Sequence, residues 1–117
     1  MVRTLPERVT GSDLIWSLSV AASKAEIPIY LLGGKPGTAE QAGRVLKMHF
    51  PGLLVAGVEC PPLGFENDET QVSEIAARLQ ATQPGIVFVA LGSPKQEFLI
   101  RRLRECLPEA WWYYRRI

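Results

Sequence analysis

The sequence is poor in the residues that build metal centres, redox sites and disulfide scaffolds. It has one histidine, His49, and two cysteines, Cys60 and Cys106, among 117 residues. The cysteines form no Cys-x-x-Cys pair and are too few for a disulfide framework. No second histidine or carboxylate stands at metal-ligand spacing from His49. We interpret His49 as a surface residue near a helix end. We therefore expect no metal, no cofactor and a reducing, cytoplasmic compartment.

Long hydrophobic runs and a large net charge are also missing. No stretch approaches the roughly 18 apolar residues of a membrane-spanning helix, and residues 1–10 lack the apolar segment of a secretory signal. The net charge of +1 argues against general nucleic-acid binding. With 47% hydrophobic and 21% charged residues, the composition is that of a globular protein. We expect a single compact domain over residues 1–117.

The charge that is present is unevenly distributed along the chain. Residues 1–94 hold 7 basic and 9 acidic side chains, whereas residues 95–117 hold 6 basic and 3 acidic ones. The basic end closes with an aromatic tail, residues 108–117, which contains Trp-Trp-Tyr-Tyr-Arg-Arg. Such a segment is similar to an anchor for an anionic membrane surface. It is short for that role, so a frayed or frameshifted end is the favoured interpretation.

Helical and strand patterns alternate along the sequence. Residues 29–32, 53–58 and 86–91 are short apolar runs typical of buried strands. Segments with apolar residues at helical spacing precede, separate and follow them, most clearly at Val72, Ile75 and Leu79. Strands without polar alternation, joined by amphipathic helices, predict a parallel sheet covered on both faces. The fold class is therefore α/β, a three-layer, Rossmann-like domain with the order α-β-α-β-α-β-α.

Three loops are expected at the carboxyl edge of this sheet, where ligands of open α/β folds bind. The first, with Gly33, Gly34, Lys35 and Gly37, precedes a helix, so its backbone N–H groups and the helix dipole can hold an anion. It matches neither a Walker A loop nor a Gly-x-Gly-x-x-Gly fingerprint. Taken alone, it is more readily explained as an ordinary strand-to-helix turn.

The last of the three loops places several polar residues at the start of a helix. Gln96 offers a donor and an acceptor together, which suits a sugar hydroxyl or a base edge. Glu97 is better explained as a helix-capping residue than as a catalyst. In the middle loop, Phe65 can lie over a flat ligand or fill the core, and the sequence leaves both interpretations open.

Four motifs in these segments occur in a characteristic order. They are Glu-Arg-Val-Thr-Gly-Ser-Asp-Leu at 7–14, Leu-Leu-Gly-Gly-Lys-Pro-Gly at 31–37, Pro-Pro-Leu-Gly-Phe-Glu at 61–66 and Leu-Gly-Ser-Pro-Lys-Gln-Glu at 91–97. Over roughly residues 6–112 the chain resembles the WecG/TagA/CpsF family of bacterial glycosyltransferases. The resemblance implies an inverting hexosyltransferase that moves N-acetylmannosamine, or its uronic acid, from a UDP-sugar to a lipid-linked N-acetylglucosamine. Such enzymes serve teichoic acid, enterobacterial common antigen or capsular exopolysaccharide synthesis.

The resemblance also implies a set of site residues and partners. Gln96 is the expected catalytic contact, and Gly33, Gly34 and Gly37 are expected beside the diphosphate. The full set of expected substrate-binding residues is Thr10, Gly33, Gly34, Lys35, Gly37, Phe65, Gly92, Ser93, Lys95 and Gln96. The expected partners are a UDP-sugar and a lipid-linked sugar acceptor, with self-association and peripheral contact with the inner face of the plasma membrane as further expectations.

The chain also departs from the family pattern. Members are about twice as long, and they carry an Ala-Asp-Gly stretch, with the proposed base, before the Glu-Arg-Val-Thr-Gly motif. They continue beyond the Leu-Pro pair at 107–108 with another strand and a basic appendage, and Leu63 stands where an aromatic is usual. We therefore expect a truncated chain that lacks the catalytic base. The alternatives are a non-catalytic module that binds a nucleotide or a partner, and a remnant without function.

Overall fold

The computed structural model describes residues 11–33, 36–62, 64–92 and 94–114, with side chains from residue 16 onward. The helices are α1 (Gly11–Ala25), α2 (Thr38–His49), α3 (Glu69–Thr82) and α4 (Lys95–Leu103). The strands are β1 (Ile29–Gly33), β2 (Val55–Glu59), β3 (Ile86–Ala90) and β4 (Trp111–Tyr114), and short 3-10 turns cover Phe65–Asn67 and Arg104–Cys106. None of the helices in these ranges has the length and apolar character needed to cross a bilayer.

The four strands form one sheet in the order β2-β1-β3-β4, and every neighbouring pair is parallel. In the register, Leu32 lies opposite Glu59, Gly33 opposite Ala90, and Val89 opposite Tyr114. All four strands therefore end at one edge of the sheet, and the loops that follow them meet there. The predicted parallel α/β sheet is confirmed.

Alternate residues of the central strands enter two separate cores. Ile29 and Leu31 of β1 pack against α1 and α2, whereas Tyr30 and Leu32 pack against α3 and α4. β3 follows the same alternation. Since both faces of β1 and β3 are buried, these strands need apolar residues at every position, which explains their unbroken apolar runs. The three-layer arrangement with helices on both faces is confirmed.

The start of α3 is fixed by a side-chain cap. Asp68 accepts hydrogen bonds from the backbone N–H groups of Thr70 at 3.0 Å and Gln71 at 3.4 Å. These bonds satisfy donors that an α-helix leaves without an internal partner. The other end stops at Gln83, whose φ of 47° is left-handed. The N-terminal N–H groups of α3 are thus hydrogen-bonded within the chain, by the carboxylate of Asp68.

The segment after residue 108 differs from the expected tail. Trp111–Tyr114 forms β4, which pairs with β3 through all four of its residues. The Phe88 and Tyr113 rings meet edge to face at 5.7 Å, and Trp112 and Tyr114 pack against the core on the α3–α4 face. Residues 111–114 are therefore part of the domain, and the order of elements gains a fourth strand.

Candidate functional site at the carboxyl edge of the sheet

The centre of the carboxyl edge is the point where the strand order reverses. β1 and β3 are neighbours, and Gly33 lies beside Ala90 at their ends. The chain leaves β1 towards α2 on one face, and it leaves β3 towards α4 on the other face. Divergence of two such loops opens the crevice in which doubly wound folds bind ligands. Ala90 is exposed there, although the residues before it in β3 are buried.

Two glycines shape the loop between β1 and α2, and each is needed for a different physical reason. A β-carbon on Gly33 would lie 2.8 Å from that of Ala39, so glycine lets α2 begin hard against the strand end. Gly37 has a φ of 82°, and its α-carbon faces open space. Among the described residues, no side chain caps the N-terminus of α2. The first N–H groups of α2 are therefore available to a ligand.

The loop between β3 and α4 repeats this arrangement from the opposite face. Gly92 has a φ of 81° and open space around it, and its carbonyl accepts a hydrogen bond from the Gln96 N–H at 2.9 Å. No side chain within the described ranges caps α4 at Pro94. The Gln96 side chain is only 1% exposed. Burial fixes the position of this amide but also covers it, so a sugar hydroxyl reaches it only if bound substrate displaces the residues that cover it.

One cation at this edge sits at an electrostatically unfavourable place. Lys95 is the first residue of α4, where the helix dipole is positive. Its Nζ lies 3.9 Å from Oε1 of Glu66, which stands in the loop between β2 and α3. Oε2 of Glu66 is buried and has no hydrogen-bond partner among the described residues. A lysine at a helix N-terminus breaks a local rule, and such conflicts are typical of functional sites.

Comparison with known proteins identifies the family of this chain. Residues 1–114 match the sequence profile of the Glycosyl transferase WecG/TagA/CpsF family. The chain belongs to this family. A relative from Bacillus spizizenii, an N-acetylglucosaminyldiphosphoundecaprenol N-acetyl-beta-D-mannosaminyltransferase, is 32% identical over 108 residues. The match covers 92% of this chain and 40% of the relative, so the chain spans two-fifths of the length of that protein.

The structure brings together half of the site residues expected for a WecG/TagA/CpsF domain. Gly33, Gly37, Gly92, Lys95 and Gln96 all lie at the carboxyl edge, in the two loops beside the reversal point or in the first turn of α4. Four other members of the expected set lie outside the described residues: Thr10, Gly34, Lys35 and Ser93.

Phe65 occupies the core of this WecG/TagA/CpsF domain. Its side chain is 3% exposed and belongs to the cluster between the sheet and helices α3 and α4. Gly64, which precedes it, has a φ of 82° and turns the chain inward. The ring is therefore packed away from solvent, and the core interpretation describes its position. At this burial the ring presents no open face to a flat ligand.

Sequence reasoning missed a network at the end of β2. The Tyr30 hydroxyl donates to Oε2 of Glu59 at 2.8 Å, and Arg78 of α3 donates to Oε1 of the same carboxylate. Burial, followed by the bond to Glu59, raises the pKa of Tyr30 well above its usual range. The bond to Glu59 is also the main reason why the pKa of Arg78 is raised. The sequence signal that could have pointed to this network is Glu59 itself, an acidic residue directly after the apolar run at 53–58.

One member of this network, Glu59, also lines a small cleft. A cavity of about 70 Å³ between the start of α2 and the end of β2 is lined by Gly37, Glu59 and Cys60, among others. Tyr30 reaches Glu59 because Gly57 leaves room for its ring; a β-carbon there would lie 2.5 Å from Tyr30 Cε2. Glu59 thus sets the position of the strand end beside the N-terminus of α2.

His49 and Cys106 do not line the small cleft beside α2, whereas Cys60 does. His49 ends α2, is exposed, lies with Nδ1 3.0 Å from the Val45 carbonyl oxygen and contacts the ring of Trp16. Its predicted place at a helix end is confirmed. Both cysteines are free thiols. Within the described ranges, no three His, Cys, Asp or Glu residues cluster as metal ligands.

Proposed function

We propose that this domain binds the diphosphate of a UDP-sugar at the reversal point between β1 and β3. In this proposal it serves the transfer of an N-acetylmannosamine-type sugar to a lipid-linked N-acetylglucosamine. Family membership and the name of the Bacillus spizizenii relative support the reaction class. The observation that carries the donor site is the convergence of the N-termini of α2 and α4 from opposite faces, neither of them capped by a side chain that the structure describes.

The physical argument concerns charge. Each helix N-terminus carries a partial positive charge, and among the described residues no side chain caps the first turn of α2; both features favour a phosphate. Two such termini suit the two linked phosphates of a nucleoside diphosphate. Lys95 adds a full charge at the rim, and Glu66 offsets part of it. By contrast, α3 begins at the same edge, but Asp68 already accepts from its first N–H groups.

Gln96 is the residue that we assign to the sugar or the acceptor hydroxyl. Its amide is buried at the first turn of α4, next to the proposed diphosphate. We assign no general base to the described residues, although an inverting transfer needs one. Two acidic residues line the cleft at α2: Glu59 is engaged by Tyr30 and Arg78, and Glu40 lies 3.7 Å from Arg44.

The first experiment measures UDP binding by calorimetry with three matched glycine variants. Gly37, Gly64 and Gly92 have φ values of 82°, 82° and 81°, and each faces open space. Alanine therefore introduces the same backbone strain at all three positions. We expect Gly37→Ala and Gly92→Ala to weaken UDP binding about tenfold, roughly the 1.4 kcal/mol of one lost contact to a charged group. Gly64→Ala should retain the wild-type affinity.

Two results would contradict the donor site: a wild-type chain that does not bind UDP, or equal loss of affinity in all three glycine variants. A separate transfer assay uses a UDP-sugar donor and a lipid-linked N-acetylglucosamine acceptor. UDP binding without transfer would favour the non-catalytic nucleotide-binding module. Turnover by this chain alone would show that the base need not come from another segment.

A further inference from the structure

We propose that a second cleft, on the α4 side of β4, binds a phosphate or diphosphate group separately from the donor site. The cleft has a volume of about 160 Å³ and is lined by Glu97, Ile100, Arg101, Arg104 and Tyr114. We call it the β4 cleft. It is walled on one side by the outer surface of α4 and on the other by the last described residue of the sheet.

The arginines of the β4 cleft are available to a ligand. Arg101 and Arg104 are exposed, and neither makes a hydrogen bond or an ion pair with another residue that the structure describes. The arginine between them behaves differently, because Arg102 donates to both carboxylate oxygens of Glu69, each at 2.7 Å. Two unpaired guanidinium groups on one wall suit phosphate, which arginine binds through paired N–H donors.

The rest of the lining is compatible with an anion that has a neutral part attached. Glu97 contributes one negative charge, so the lining residues that the structure describes carry a net charge of +1. Ile100 and Tyr114 supply an apolar side, and the tyrosine hydroxyl is a further donor. This combination favours a phosphate on a larger molecule over a bare metal cation, for which a single carboxylate is a poor site.

The β4 cleft lies close to the proposed donor site. Tyr114 pairs with Val89, and the next residue of β3, Ala90, pairs with Gly33 at the reversal point. Neighbouring strands are about 4.8 Å apart, so the ends of β1 and β4 are separated by about 10 Å. Arg101 lies in the last turn of α4 and Arg104 just after it, and this helix runs back from the carboxyl edge, so the two guanidinium groups are further from the reversal point than the strand ends are. A donor diphosphate at one site and an acceptor diphosphate at the other would place both the donor sugar and the acceptor sugar between them.

The identity of the ligand rests on the proposed function, whereas the phosphate site itself does not. The relative's name specifies an acceptor in which N-acetylglucosamine is joined to a lipid through a diphosphate. We therefore assign the β4 cleft to the diphosphate of the lipid-linked acceptor. An anionic phospholipid headgroup offers related chemistry, and the experiment includes it as a separate arm.

The test titrates inorganic pyrophosphate into the full chain by calorimetry, with and without saturating UDP, at about 0.15 M salt, where charges further apart than about 8 Å are screened. We expect pyrophosphate to bind in the presence of UDP. The double variant Arg101→Gln/Arg104→Gln should lose at least tenfold in pyrophosphate affinity. Arg102→Gln removes one positive charge from α4 and is the matched control for Arg101→Gln alone; it should change the affinity less than twofold.

Three outcomes would overturn the β4 cleft. They are complete displacement of pyrophosphate by UDP, equal losses in Arg101→Gln and its control Arg102→Gln, and arginine-dependent binding only to vesicles that contain phosphatidylglycerol. Failure of the donor site gives a different result. In that case UDP does not bind, while pyrophosphate binds in a manner sensitive to Arg101 and Arg104 and insensitive to Gly37→Ala.

Discussion

Replacement of Tyr30 by phenylalanine tests the network that holds the end of β2 beside the proposed donor site. The change removes the hydroxyl that donates to Glu59 at 2.8 Å and keeps the ring that packs against Gly57. The Glu59 side chain is only 12% exposed, so water replaces the lost donor poorly. Hydrogen bonds to charged groups contribute about 1.5–3 kcal/mol. We expect Tyr30→Phe to lower the free energy of unfolding by about 2 kcal/mol near neutral pH.

The same variant carries a pH signature. The folded protein raises the pKa of Tyr30 above its usual value of about 10, first through burial and then through the bond to Glu59. Above about pH 10 the unfolded chain loses this proton while the folded chain keeps it. The stabilisation is therefore complete below about pH 10 and declines by about 1.4 kcal/mol for each further pH unit.

Urea unfolding followed by circular dichroism measures this difference at a series of pH values. The wild-type advantage over Tyr30→Phe should shrink by about 1.4 kcal/mol between about pH 8 and pH 11. Other tyrosines and lysines titrate in both proteins, so their contributions cancel in the comparison. Parallel pH curves for the two proteins would refute the reasoning, as would an unchanged free energy of unfolding at neutral pH.

Three further substitutions test the elements that frame the site. Asp68→Ala removes the cap of α3 and should cost about 1 kcal/mol in urea unfolding, with Asp68→Asn retaining most of the stability; equal loss in both would contradict the cap. Gly33→Val forces a side chain against Ala39 and should cost at least about 2 kcal/mol; an unchanged melting temperature would show that α2 can move away. Phe65→Ala should cost about 3–5 kcal/mol. The milder Phe65→Leu should leave UDP affinity unchanged in calorimetry, and a large loss of affinity with normal stability would show that the ring contacts the ligand.

The central part of the fold was predictable because it is buried on both faces. Strands such as β3 leave no position for polar residues, so an apolar run bounded by Pro84-Gly85 indicates the strand directly. β4 was missed because Trp111–Tyr114 is an edge strand of aromatic residues beside a basic end. That composition is typical of a membrane interface as well as of a strand. Only the pairing with β3, a non-local contact, distinguishes the two.

The place of the candidate site at the carboxyl edge could be predicted, but the positions of several side chains could not. Topology alone sends the loops after β1 and β3 to the same edge, and this places Gly33 and Gly92 correctly. An aromatic after a turn glycine suits a ligand platform and a core equally, so Phe65 needed the structure. In the Glu59 network, Tyr30 is 29 positions before Glu59 and Arg78 is 19 positions after it. No local sequence pattern predicts partners at such separations.

The reversal point has a consequence for how binding would be transmitted through the domain. The cores on the two faces of the sheet share no helix, since α1 and α2 pack on one side and α3 and α4 on the other. A diphosphate held by the first turns of α2 and α4 would link the two layers directly. Bound UDP would then hold α2 and α4 in fixed positions relative to each other. Amide hydrogen exchange should slow in both helices together, although neither packs against the core of the other.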